Sequence, residues 1–380
     1  MNKLITASIA ALAMSVSMAA AEPIKVGMIT TLSGGGAGLG IDARDGFMLA
    51  LKNAGDAAAE IEVVTEDDGQ KPELAVQIAD KMIQSDQVDI LTGIIWSNLA
   101  MAVVPSAVAQ GKFYISVNAG PSPLAGAQCN ENYFNVAYQN DNFHEAMGQY
   151  ANETYKNTFI MAPNYPAGTD SLTGFTRFYK GTLAGEVYTQ VGQTDYAAEI
   201  AQIRASGADS VFIFLPGGMG IAFVKQYAQS GVDIPLIGPG FSFSQDVLPA
   251  IGDAALGVKS SSSWAKDLDN EASKTFVETF QAEYGRLPSI YAAQAYDTAS
   301  LIVSAAGKAS VSDAAAFRAA LKEADFASVR GKFSFNTNNH PIQDIYVTEV
   351  VKEGDVLTNH IIGTVFTDHK DVYAEQCSLQ

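Results

Sequence analysis

The segment Ile94-Ile95-Trp96-Ser97-Asn98 joins an apolar, strand-like run to a helix-like one, and it has the parts of a carboxylate site. Free amides at a helix start carry partial positive charge and hold anions, and the Ser97 hydroxyl adds a donor. Ser97 or Asn98 capping its own helix is the plainer use of the same residues, and the two uses are compatible. The next junction, Asn118-Ala119-Gly120-Pro121-Ser122, lacks bulky side chains and lets a ligand approach its backbone closely. Three later junctions have the same form: Ala162-Pro163-Asn164-Tyr165, Leu215-Pro216-Gly217-Gly218 and Gly238-Pro239-Gly240-Phe241. Tyr165 and Phe241 there are either ligand contacts or ordinary half-buried packing residues. Trp96, one of two tryptophans, sits beside a helix-start loop, where so large a ring needs a packing or ligand role.

Catalytic constellations are harder to find. Gly240-Phe241-Ser242-Phe243-Ser244 misses the final glycine of a nucleophile elbow. The glycines between 34 and 40 follow a strand, but their spacing is not that of a dinucleotide loop and no P-loop lysine follows; a flexible cleft loop is the better reading. His144, His340, His360 and His369 are scattered without paired ligand spacing, which suits solvated or capping histidines, and the two cysteines form no metal pattern. No carboxylate pair stands out as acid and base. No cofactor and no metal are therefore expected.

The elements that would position these loops alternate along the chain. Strands are expected at 24–30, 61–66, 88–92 and 113–117, with helices at 41–53, 72–83 and 98–109 between them. Leu74, Ala75, Ile78, Ala79 and Met82 fall at helical spacing behind Pro72. A second series has strands at 158–162, 186–189, 210–215 and 236–237, with helices at 172–179, 196–205 and 219–230. Such alternation means two parallel sheets with right-handed crossovers, hence two α/β lobes with a cleft at the carboxyl ends of the strands. Helices at 271–284, 290–308 and 313–323 are expected to cover the first sheet, and strands at 345–351 and 361–365 to return to the second. Gly, Ser, Asn and Asp interrupt the pattern at 140–143, 261–267 and 336–343, where the chain is expected to cross between lobes. The first lobe is then 22–141 plus 265–338, and the second 142–264 plus 339–380.

Lys3 precedes an apolar and small-residue run over 4–18 that ends in Ala19-Ala20-Ala21. That is the pattern of an export signal at 1–21, cleaved after Ala21 or after Ala19, and the run is shorter than the roughly 20 residues that span a bilayer. The roughly 360 residues beyond it exceed what one core usually supports, so two domains are expected. A net charge of −18 argues against nucleic acid and anionic membrane as partners, since both need a basic patch. In an oxidising compartment Cys129 and Cys377 are expected to pair and tie the C-terminus to the body; two free buried thiols are the alternative.

Taken in order, Lys25-Val26-Gly27, Ser33-Gly34-Gly35, Gly40, Asp67-Asp68-Gly69 and Pro72 resemble the leucine/isoleucine/valine-type periplasmic solute-binding proteins of ABC importers. Val88-Asp89-Ile90-Leu91-Thr92-Gly93 and Tyr284-Gly285 through Pro288, with Tyr291, Ala292, Ala295, Tyr296 and Asp297, continue the resemblance over nearly the whole chain beyond the signal. It implies a type I periplasmic binding fold, two Rossmann-like lobes on a multi-strand hinge. It also implies a monomer that closes on its ligand in the periplasm and is recognised closed by an inner-membrane permease. The resemblance implies that 118–122, which matches a carboxylate-binding segment of the family, holds the ligand carboxylate together with 94–98.

One departure bears on the ligand. The amino-acid receptors of the family place an acidic residue in the loop matching 238–241, to partner the ligand's ammonium; here that loop carries Gly240 and Phe241, and Asp246 lies further on, where capping a helix explains it. Leu39 stands where those receptors have a bulky aromatic. An aromatic carboxylic acid is therefore expected in preference to an α-amino acid, and the wording of 118–125, 162–165 and 214–220 is similar to the family's aromatic-acid branch. The ligand set is Leu39, Trp96, Ser97, Asn98, Asn118, Ala119, Gly120, Tyr165, Pro216, Gly217 and Phe241. A receptor for a branched-chain or other amino acid or amide, an exported α/β hydrolase, and a sensor coupled to a membrane kinase are the competing readings.

Overall fold

The computed structural model describes residues 23–379, so the expected export signal lies outside the described residues. Within them, the first sheet runs in the order β2-β1-β3-β4-β5 and all its pairings are parallel. Its strands are β1 (Ile24–Thr30), β2 (Ile61–Asp67), β3 (Ile90–Thr92), β4 (Phe113–Ser116) and β5 (Tyr133–Asn135). They alternate with α1 (Ala37–Ala54), α2 (Pro72–Gln84), α3 (Ser97–Ala109) and the short α4 (Ser122–Ala125). Central strands β1, β3 and β4 are buried nearly throughout, as parallel strands with helices on both faces must be. In α2 the expected apolar stripe is the buried one, and Pro72 opens the helix where a missing N–H costs nothing.

The second sheet has the order β7-β6-β8-β9-β10, again parallel, from β6 (Asn157–Pro163), β7 (Thr182–Thr189), β8 (Ser210–Ile213), β9 (Leu236–Pro239) and β10 (Lys259–Ser262). The helices of this lobe are α5 (Asp141–Thr154), α6 (Pro166–Phe178), α7 (Ala197–Ala205), α8 (Gly218–Ser230) and the short α9 (Leu248–Ile251). The chain then returns to the first lobe through α10 (Glu271–Tyr284), α11 (Ile290–Ala306) and α12 (Ala314–Lys322). A Cβ on Gly46 of α1 would lie 2.1 Å from the Ala292 carbonyl of α11, so glycine is what lets these two helices touch. Phe317 of α12 meets Phe113 of β4 edge-on at 5.0 Å, covering the far side of the sheet. Finally β11 (Phe333–Phe335), β12 (Pro341–Glu353) and β13 (Val356–His369) extend the second sheet antiparallel from β10.

Two expected crossings shift. The first lies at 136–140, because α5 already begins at Asp141. The third precedes residue 333: β11 pairs with β12, so the Asn-rich stretch 336–340 is the turn between two strands of the second sheet, ahead of the boundary expected at 338. Asparagine marks a turn of either kind, which is why the sequence pattern misleads there. Strand β10 went unseen because Lys-Ser-Ser-Ser has no apolar period. It is buried by hydrogen bonding instead: Ser260 Oγ meets Thr348 Oγ1 at 2.8 Å, and Ser261 Oγ donates to the Phe143 carbonyl at 2.6 Å.

The crossings are tied together by Arg330. Its guanidinium, almost fully buried, donates to Asp297 Oδ2 of α11 at 2.8 Å, to the carbonyls of Val136 and Ala137 at 2.6 and 2.9 Å, and to Gln343 Oε1 at 2.9 Å. Every acceptor is used by a fork that cannot lose its charge. Cys129, in the loop before β5, is bonded to Cys377 in the tail beyond β13. The disulfide therefore adds a covalent strap between lobes beside the three crossings.

Candidate functional site: an enclosed cavity between the lobes

The lobes are closed on one another around a cavity of about 260 Å³, lined from the first lobe by Leu39, Ile95, Trp96, Ser97, Asn118 and Tyr291. Ala167, Phe214, Pro216 and Phe241 come from the second lobe with Tyr165, and Tyr138 comes from the first crossing. Little room is left between the closed lobes, which suits a small molecule.

Seven of the expected residues line it: Leu39, Trp96, Ser97, Asn118, Tyr165, Pro216 and Phe241. The Trp96 indole donates to Thr31 Oγ1 at 3.0 Å, which fixes its plane, and its ring faces Tyr165 across the cleft at 6.1 Å. Phe241 packs on Tyr138, Phe143 and Tyr291 at 4.7, 5.2 and 5.6 Å, forming an aromatic floor. Asn118 acts as a brace as well as lining: its Nδ2 donates to the Ile95 carbonyl at 2.7 Å and its Oδ1 accepts from Tyr138 Oη at 3.4 Å.

Four expected residues do not line the cavity. Asn98 is the second residue of α3 and only partly buried, directed away by the helix turn. The Ala119 carbonyl faces inward to Ser116 Oγ and Tyr133 Oη at 2.8 and 3.2 Å. Gly120 is pressed on the first crossing, where a Cβ would lie 2.1 Å from the Tyr138 carbonyl. Gly217 has φ +63°, and a Cβ there would lie 2.9 Å from the Gly35 carbonyl of the other lobe, so its missing side chain shapes the lobe contact. Ile95, Tyr138, Ala167, Phe214 and Tyr291 were missed; Ile95, Ala167 and Phe214 lie on or beside expected loops, while Tyr138 and Tyr291 reach the cavity from a crossing and from a returning helix, which no local pattern reveals.

The electrostatics are those of a neutral box with donors. Among the described residues, no Asp, Glu, Lys, Arg or His lines it. Burial pushes the Tyr138, Tyr165 and Tyr291 hydroxyls well above the usual phenol range, so they stay protonated and act as donors. Tyr138 spends its proton on Asn118, whereas Tyr165 and Tyr291 show no hydrogen-bond partner among the described residues. Neither Ser97 nor Asn98 caps α3: the cap position is Trp96, without a side-chain bond, and the first amides of the helix are open. Ser97 Oγ accepts from Asn140 Nδ2 at 3.1 Å, which leaves its own proton for a ligand. An anionic oxygen fits at this end.

Asp246 does not cap a helix. Its carboxylate accepts from Ser244 Oγ and faces Gly38 of α1 across the cleft, at the edge of a separate space lined also by Asp42 and Arg286. Two of the histidines are placed otherwise than expected. His144 and His340 are buried, which pushes their pKa values down, to about 3 for His144; His360 and His369 pair with Glu353 and Glu145.

Two hinged α/β lobes closed over a small cavity of aromatic walls and hydrogen-bond donors define a solute receptor. The family model described as periplasmic binding protein matches residues 23–355, and the chain belongs to that family. It is a solute-binding protein of the kind that serves ABC transporters, with the type I fold. A Brucella melitensis protein named Leu/Ile/Val-binding protein homolog 6 is 26% identical over 372 residues, covering 93% of this chain and 94% of its own. Among solved structures, an R. palustris ABC transporter solute-binding protein in complex with benzoate superposes with a TM-score of 0.89 at 30% identity, covering 94% of this chain and 100% of the other. Another from R. palustris, in complex with 4-hydroxybenzoate, superposes with a TM-score of 0.84 at 26% identity, covering 92% and 98%.

Proposed function

We propose that this protein is an exported, monomeric receptor for a small aromatic carboxylic acid, which it carries to an inner-membrane ABC permease without transforming it. The observation that carries the ligand class is the cavity lining: aromatic on its walls, furnished with donors at the α3 end, and without an acidic side chain. A carboxylate takes the open α3 amides, the Ser97 hydroxyl and the free tyrosine hydroxyls. The ring lies among Trp96, Tyr165, Phe214 and Phe241. An α-amino acid would bury its ammonium with no counter-charge, which is strongly unfavourable. The similarity to the benzoate and 4-hydroxybenzoate complexes supports the same class.

Function then reduces to a population shift. A ligand touching both lobes stabilises the closed form by its differential contacts, and the permease selects that form. Residues 1–21 would direct export and be removed.

A thermal-shift screen against benzoates, phenylpropanoid acids, branched-chain amino acids and dicarboxylates tests the reading, since a ligand bound by the native state alone raises the melting temperature. Stabilisation by aromatic acids supports it. Stabilisation by leucine or valine alone, the reading suggested by the names of the Brucella relatives, overturns it.

A further inference from the structure

Beside the cavity, one carboxylate crosses from the second lobe to the first. Asp170, on the first turns of α6, is buried. Its Oδ2 accepts from the Ser122 backbone N–H at 3.0 Å and its Oδ1 from Ser122 Oγ at 2.7 Å. Ser122 opens α4 in the first lobe, so this amide is a helix-start donor satisfied by a charge from the other lobe. Asn140 Nδ2 adds a further bond to Asp170 Oδ2 at 2.9 Å.

Asn140 ends the first crossing, directly before α5. It exchanges two bonds with Gly120: its N–H donates to the Gly120 carbonyl at 2.8 Å, and its Oδ1 accepts from the Gly120 N–H at 3.1 Å. The same Nδ2 that reaches Asp170 also donates to Ser97 Oγ at 3.1 Å, and Ser97 lines the cavity. A continuous chain thus runs from the ligand space through Ser97 and Asn140 to Asp170, and from Asp170 to Ser122. Ser97 and Ser122 are carried by the first lobe and Asn140 by the crossing, so opening the cleft at this edge separates Asp170 from both Ser122 donors at once.

We infer that Asp170 is a closure latch: it fastens the second lobe to the ligand-bearing loops of the first, and Asn140 couples it to the occupancy of Ser97. Asp170 does not line the cavity; it is a positioning residue, acting on how long the lobes stay shut. The inference rests on the receptor reading above. A ligand that orients the Ser97 hydroxyl fixes the acceptor of Asn140, which in turn holds its amide toward Asp170. Loss of the latch therefore shortens the bound state while leaving ligand encounter with the open form unchanged.

The test uses the full mature protein as wild type, Asp170→Asn, Ser122→Ala and the double variant, with 4-hydroxybenzoate and isoleucine as probes. Stopped-flow fluorescence reads association and dissociation, and small-angle scattering reads compaction with and without probe. Removing hydrogen bonds to a buried charge predicts dissociation about 10- to 100-fold faster in Asp170→Asn. The association rate stays near wild type, ligand-free melting temperature is retained, and the double variant is no worse than Asp170→Asn alone. Dissociation at the wild-type rate overturns the latch, as does an equal fall of melting temperature with and without ligand, which would make Asp170 a fold-supporting residue. Wild type binding isoleucine but not 4-hydroxybenzoate overturns the aromatic reading, and the latch is then read with isoleucine. Ligand-free scattering is independent of either probe: Asp170→Asn is expected to be more open, and a curve identical to wild type counts against the latch.

Discussion

The rings of Trp96 and Tyr165 lie 6.1 Å apart and tilted by 56°, one carried by each lobe. Closing the cleft is what brings them together, so the pair is both cavity wall and part of the closed interface. Trp96→Ala removes a buried anchor from the ligand side, and losses of at least about 2 kcal/mol, roughly 30-fold in affinity, are usual for such positions. Titration calorimetry with the ligand found in the screen checks this. Unaltered affinity would take Trp96 out of the binding site.

Asp246 gives the receptor a pH dependence. Burial, and then the Asp42 carboxylate from the facing lobe, raise its pKa to about 7 in the closed state. Its Oδ2 is buried without a hydrogen-bond partner, while Ser244 and the more distant Arg286 oppose the rise weakly. In the open form water returns and the pKa falls toward an ordinary carboxylate, so the closed state binds the extra proton. Closure is then most favoured below the open-state pKa and weakens as pH rises to about 7, beyond which it is level. Affinity should accordingly be tighter at about pH 5 than at about pH 8, and Asp246→Asn should flatten that slope. A pH-independent wild type would show that Asp246 keeps its solvent on closure.

Arg330 and Asp297 form a buried ion pair at 2.8 Å, both almost wholly shut from solvent. Arg330→Met leaves Asp297 charged and without its counter-charge and frees the Val136 carbonyl, at a cost of about 3–5 kcal/mol in unfolding free energy. Urea denaturation followed by circular dichroism measures it. The paired change Arg330→Met with Asp297→Leu should recover part of the loss, because no lone buried charge remains.

The Cys129–Cys377 bond closes a loop spanning 248 residues. Chain-entropy arguments give at most about 5 kcal/mol for a loop of that length, and 2–4 is commoner. Intact mass after alkylation should show no label until the protein is reduced, and the reduced protein should melt at lower temperature. Labelling at both cysteines without reduction would disprove the bond.

The strand and helix periods that place β1, α2, β6 and α8 are local, so the two-lobed α/β plan was legible from apolar spacing and turn residues. So were the carboxyl-end loops that supply Trp96, Ser97, Asn118, Tyr165, Pro216 and Phe241. Strand β10 was not, because its serines are buried by pairing with Phe143 and Thr348 from distant parts of the chain, which no window along the sequence contains.

The sequence by itself determined which residue types stand at each strand end, and with them the absence of an acid in 238–241 that a bound ammonium would need. Tertiary structure alone decided which of those loops face inward. Ala119, Gly120 and Gly217 sit on the right loops but press on backbone neighbours, and Asn98 is left partly exposed on α3, while Tyr138 and Tyr291 reach the cavity from a crossing and a returning helix. Direction at a loop is set by what packs behind it, and those partners are brought up only when the chain has crossed between the lobes and come back.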